Sequence, residues 1–83
     1  MKPINAHRIA MNCNESELVA HVRGRCYAVD VDHILMAMFP SSKVTGRSLK
    51  TGKLTEFEMD SIRHLHPASE GTVTVLRDIF AGF

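Results

Sequence analysis

Val29-Asp30-Val31-Asp32-His33-Ile34 and Phe57-Glu58-Met59-Asp60-Ser61-Ile62 share one pattern: apolar, acid, apolar, Asp, any residue, Ile. Alternation with period two places Val29 and Val31, or Phe57 and Met59, on one face of a strand. The next apolar residue then arrives three positions on instead of two. Such a phase slip is what a bend or bulge produces, so each stretch reads as a strand that turns a corner at Asp-x-Ile. Two such strands in so short a chain predict one small, curved, closed sheet.

Length and composition bound what that sheet can belong to. The chain has 83 residues, 45% of them hydrophobic and 23% charged, which is ordinary for a globular protein and leaves room for one domain over residues 1–83. A chain of this size buries only roughly 60–65% of its unfolded surface, so modest stability is expected. The formal net charge is +1. That excludes a protein whose whole surface is a nucleic-acid glove but leaves room for a local basic patch. No run approaches the roughly 20 apolar residues of a membrane span. Met1-Lys2-Pro3-Ile4-Asn5 is not followed by a signal-peptide core, so a cytoplasmic location is expected. There, Cys13 and Cys26 read as two reduced thiols.

Working outward from the twin pattern, Leu18 to Val22 and Cys26 to Val31 are β-rich runs separated by Arg23-Gly24-Arg25, which predicts a hairpin. Upstream, Ala6 to Met11 reads as either a short helix or a first strand. Asp32 to Phe39 either continues the strand or forms one helical turn before Pro40 stops it. A second hairpin follows, with Val44 to Leu49 as one arm, Lys50-Thr51-Gly52-Lys53 as the turn and Leu54 to Leu65 as the other arm. Thr55, Phe57 and Met59 form its predicted inward face, and Glu56, Glu58 and Asp60 the outward one. Thr72 to Leu76 is β-branched enough for a last strand, with the tail to Phe83 docked on the sheet. The sum is about five strands with short turns, which favours a small all-β barrel. A competing pattern makes Leu54 to Leu65 a capped helix and Val73 to Phe80 a second one, as in the opening of a helix-turn-helix.

The order hairpin, loop, hairpin, bent strand, short final strand resembles the Sm-like, or SH3-like, five-stranded barrels. Within that group, Glu56 through Pro67 followed by Gly71-Thr72-Val73-Thr74-Val75 looks like the end of the bacterial Rho-binding antiterminators. Those proteins share the acid-punctuated strand, the Asp-x-Ile corner, the His-Pro and the closing Gly-Thr-Val. Val22-Arg23-Gly24-Arg25 through Val29-Asp30-Val31-Asp32 fits their first hairpin, so the resemblance covers residues 18–76. It implies a non-enzymatic transcription regulator that occupies the RNA-binding region of the termination factor Rho. The corner is also similar to the closing strand of WYL-type ligand-sensing domains, although the defining Trp-Tyr-Leu is missing.

Three sets of residues are candidate sites. Asp30, Asp32, Glu56, Glu58 and Asp60 would form an acidic face offering oxygen acceptors to a basic partner, or else a solvated outer face that keeps the sheet soluble. Arg23, Arg25, Arg47, Lys50 and Lys53 sit mainly in turns, where they would contact phosphates if the chain binds nucleic acid. His64 and His66 would point to one side of a strand, with Cys13 or Cys26 near, but the tight ligand pairs of a zinc site are missing, so no metal is expected. No nucleophile elbow, Walker loop or dinucleotide fingerprint occurs, and no cofactor is expected. Met11, Met36, Met38 and Met59 read as core filling, or else Met36, Met38 and Phe39 form an exposed edge that would suit an adaptable partner surface. Beside Rho binding stand two further readings: direct nucleic-acid binding through the turn cations, and an oligomeric scaffold that pairs through exposed edge strands.

Overall fold

A computed structural model describes residues 1–68 of the chain. An N-terminal helix α1 (Pro3–Met11) precedes strands β1 (Glu17–Val22) and β2 (Arg25–Asp30), a short helix α2 (Val31–Met36), and strands β3 (Lys43–Ser48) and β4 (Leu54–Glu58). A single 3₁₀ turn (Met59–Ser61) then leads into β5 (Ile62–Pro67). The five strands form one antiparallel sheet in the order β4-β3-β2-β1-β5.

Local chemistry explains the elements. Of the two options for the N-terminal segment, the helix is formed: Pro3 sits at its start, where a missing N–H is harmless, and Ala6 and Ala10 make the buried stripe that docks on the sheet. Arg23 (φ 52°) and Gly24 (φ 77°) both lie in the left-handed region. This is the geometry of a two-residue hairpin turn whose twist suits the flanking strands. Leu18, Ala20, Val22, Tyr27, Val29, Val44, Phe57 and Leu65 face the core together with Ile34, Met59 and Ile62. The alternate residues of each strand therefore occupy the opposite, outer face.

The twin pattern is a corner in both places, but the corner is a helical turn and not a bulge. Asp30 (φ −72°, ψ 139°) and Glu58 (φ −80°, ψ 148°) hold the same extended conformation just before a helix begins. Ile34 and Ile62 then return to the core at 0% and 1% exposure. The three-residue step between apolar positions is the spacing of one turn, so the backbone coils there. The amides at the corners are tied to other segments: Val31 N–H donates to the Ser16 carbonyl, Met59 N–H to Ser42 and Asp60 N–H to Pro40.

Several expectations change accordingly. Of the two options for Asp32 to Phe39, the helical turn is the one formed, as α2, which takes in Val31 from the expected strand; the single arm Leu54 to Leu65 is two strands with a 3₁₀ turn between them. The competing helix over those residues is not formed. The expected last strand at Thr72 to Leu76 and the tail Arg77 to Phe83 lie outside the described residues; the fifth strand of the sheet is β5. Met59 is buried as expected, whereas Met11, Met36 and Met38 are exposed, as is Phe39. Corners and loop ends carry these side chains away from the sheet.

Among the described residues the sheet is open, because β4 and β5 are not paired with each other. It is nevertheless strongly curled. Four strand spacings would separate β4 from β5 by about 19 Å in a flat sheet. The four steps from Glu58 to Ile62 span at most about 14 Å even when extended, and a 3₁₀ turn is shorter. The ladder between β2 and β3 covers only Tyr27–Ser48 and Ala28–Arg47, so the strands part beyond Ala28 and the sheet folds around its helices.

Candidate functional site

The two hairpin turns lie at the same end of the sheet, because the start of β2 pairs with the end of β3. Between them is a cleft of about 670 Å³ whose walls, among the described residues, include Arg23, Arg25, Lys50 and Lys53. Four of the five turn cations singled out above thus converge. Arg47 does not join them; it lies on the outer face, opposite Ala28 and Leu54. The second turn is pinned: Ser48 Oγ accepts from the amides of Lys50 (3.3 Å) and Thr51 (3.2 Å), and the Ser48 carbonyl accepts from Gly52 N–H at 2.8 Å. Leu49 N–H donates to the Cys26 carbonyl at 3.1 Å and locks one hairpin to the other.

The acids do not form a single cluster. Glu56 and Glu58 stand on the outer face of β4, with Asp60 exposed in the following turn, while Asp30 and Asp32 mark the end of β2 and the first turn of α2. Asp32 and Asp60 both sit where a helical N-terminus favours negative charge. Glu58 is paired with Lys43 (3.5 Å). Asp30 has a partner that sequence reading missed: Glu17, directly opposite on β1. Counting outward from a two-residue turn at Arg23-Gly24 would have found it. Two exposed carboxylates held across a ladder repel each other.

On the outer face next to the cleft, β5 brings its histidines to β1. His21 is opposite His64 on one side and Cys26 on the other, and His21 Nε2 lies 2.9 Å from His66 Nε2. The direction of each bond follows from the far end. His66 Nδ1 is 3.0 Å from the Pro67 carbonyl, which only accepts, so Nδ1 carries the proton and Nε2 accepts from His21 Nε2–H. His21 Nδ1 is left as the acceptor for the Cys26 thiol at 3.6 Å. This chain requires neutral imidazoles. Burial, then the neighbouring His66 and His64, push the His21 pKa below its ordinary 6.5, and burial pushes the Cys26 thiol up. Cys26 therefore stays protonated and is a poor nucleophile. Cys13 lies outside the cluster, against the main core; both cysteines are free. Among the described residues no group of three His, Cys, Asp or Glu is arranged to hold a metal, and no helix is long and apolar enough to cross a membrane.

The relay has a consequence for stability. Because the folded protein resists protonating His21, the unfolded chain binds more protons below pH 6.5. Stability is then fully present above that pH and is lost as pH falls toward the lowered folded pKa. Urea unfolding between pH 7.5 and 5 should show this decline, and His21→Gln should flatten it. Equal slopes for the two proteins would refute the account.

Compared with known protein families, curated proteins and solved structures, the chain has no match.

Proposed function

We propose that the protein is a non-enzymatic regulator of transcription that binds the termination factor Rho through its acidic outer face. On this reading the curled five-stranded sheet is an Sm-like barrel. Support comes from the sequence resemblance over residues 18–76 and from a strand order that sets the first hairpin between the second hairpin and β5. The observation that carries the reading is the Glu17–Asp30 pair. A fold gains nothing from two exposed acids face to face, so the arrangement makes sense as complementarity to a partner that supplies the cations. The RNA-binding region of Rho is such a surface by the same resemblance.

The test is an in vitro termination assay with purified Rho, accompanied by pull-down. Wild-type protein should reduce Rho-dependent termination, and the double variant Glu17→Lys, Asp30→Lys should bind about tenfold or more weakly. Single Glu17→Lys should at the same time raise stability by roughly 0.2–1 kcal/mol, because it converts a repulsive cross-strand pair into an attractive one. Single Glu17→Lys should also bind more weakly than wild type, and weaker binding by that more stable protein separates function from misfolding. Unchanged termination at saturating wild-type protein would remove the reading.

A further inference from the structure

We propose that His21, His64 and His66 form a binding site for a divalent transition-metal ion of the zinc class, held by three imidazole nitrogens on the outer face of the sheet. The site is separate from the acidic pair and does not depend on the Rho reading. Alternation puts His64 and His66 on the same side of β5, since Leu65 between them faces the core. His21 stands directly opposite His64 on the neighbouring strand and one diagonal step from His66, which pairs with Val19. Two imidazoles at i and i+2 on one strand, with a third across the ladder, are close enough to bring three nitrogens to one point. The tight ligand pairs that announce a zinc site in a sequence are missing because the third ligand comes from a strand distant in the chain.

The contact between His21 and His66 already holds two of the nitrogens near ligating positions. Their Nε2 atoms are 2.9 Å apart, whereas two nitrogens on a tetrahedral zinc, each bonded at about 2.0–2.1 Å, are about 3.3–3.4 Å apart. A parting of about half an ångström admits the ion. His66 is oriented for it: Nδ1–H donates to the Pro67 carbonyl at 3.0 Å, the kind of outer contact that fixes the tautomer of a metal-bound imidazole and aims its other nitrogen. His21 gives up its Nε2 proton and Nδ1 takes one up through solvent, so the ring stays neutral. Cys26 Sγ, 3.6 Å from that Nδ1, then turns from donor to acceptor. It supports His21 from the far side of the ring and is not a ligand. His64 completes the set. It meets His21 edge-on, with centroids 5.9 Å apart and planes at 84°, and in that rotamer the three rings do not yet hold an ion. Its side chain is exposed, so a change of rotamer is what assembles the site. Three neutral imidazoles suit zinc and its neighbours, whereas calcium and magnesium take oxygen ligands. A fourth position is left for water.

The experiment is a titration of the full chain, freed of metal by a chelator, with zinc alone at pH 7.5, read by competition with a chromophoric chelator and by urea unfolding. One zinc should bind per chain, and at a free zinc concentration about 100 times Kd the ratio of folded to unfolded protein should rise about 100-fold. His64→Gln and His66→Gln should each weaken binding about 100-fold, since a lost ligand costs at least as much as the roughly 10–100-fold lost with an outer partner. His64 is exposed, so its variant should unfold in urea as the metal-free wild type does. His33→Gln alters an exposed histidine on α2, away from the three, and should leave the affinity as it is. Absence of stoichiometric zinc binding would overturn the proposal, as would a loss below about tenfold in either of the first two variants or an equal loss in His33→Gln. Because Rho is not in the assay, its outcome is independent of the termination test.

Discussion

Ile34→Ala is expected to destabilise the protein by about 2–5 kcal/mol, the range for removing a buried Ile side chain that its surroundings cannot collapse upon. For a chain of 83 residues total stability is of order 4–12 kcal/mol, so this one change removes a large part of it. The reason lies in the corner. Ile34 is fully buried, yet it belongs to a helix of six residues, too short to hold itself together in water. Tertiary contact is what keeps α2 coiled, and the contact is chiefly this side chain. His7 contributes a second tie, its Nε2–H donating to the Ala37 carbonyl at 2.9 Å. Urea unfolding measures the loss, and Ile34→Val, which keeps most of the volume, should cost only about 0.5–1.5 kcal/mol. A loss below about 1 kcal/mol for the alanine variant would show that the corner holds without its anchor.

The same residue shows why part of the fold was legible and part was not. Both hairpins could be read from turn residues, because Arg23-Gly24 and Gly52 act locally, and the inward placing of Val29 on β2 and of Phe57 on β4 followed from alternation. The corners were visible only as a slip in phase. Whether a slip becomes a bulge or a helical turn depends on where Ile34 and Ile62 find cover, and that is decided by α1 and by the opposite wall of the sheet. Val31-Asp32-His33-Ile34-Leu35-Met36 contains two β-branched residues and has little helix preference of its own, so tertiary packing overrode propensity. The sites follow the same division. Turn cations were identifiable as candidates from their hairpins, but their convergence depends on the register of β2 with β3. The encounter of His21 with His66 depends on β5 crossing to the far edge of the sheet. Pairings between distant strands leave no local signal.

Gly46→Val should cost about 1–3 kcal/mol or somewhat more, by overpacking. Gly46 sits on the inner face of β3, and a Cβ there would lie 2.7 Å from Tyr27 Cβ, 3.0 Å from Phe57 Cε2 and 3.0 Å from Val29 Cγ1. In a strand a valine would otherwise be favoured, since it suits the pleat and narrows the unfolded ensemble. The contact with Tyr27 decides the sign. A Cβ is fixed to its backbone and cannot swing aside, as the rim of the Phe57 ring can, so relief requires β3 to move away from β2. Those strands share only two register pairs, Tyr27–Ser48 and Ala28–Arg47, and a shift there loosens the short ladder that holds the two hairpins side by side. Thermal melting should register the destabilisation as a drop of about 4–8 °C per kcal/mol, and Gly46→Ala should fall between wild type and Gly46→Val. A valine variant as stable as wild type would mean that β3 can retreat freely. The convergence of the two turns at the basic cleft would then not rest on close packing at this glycine.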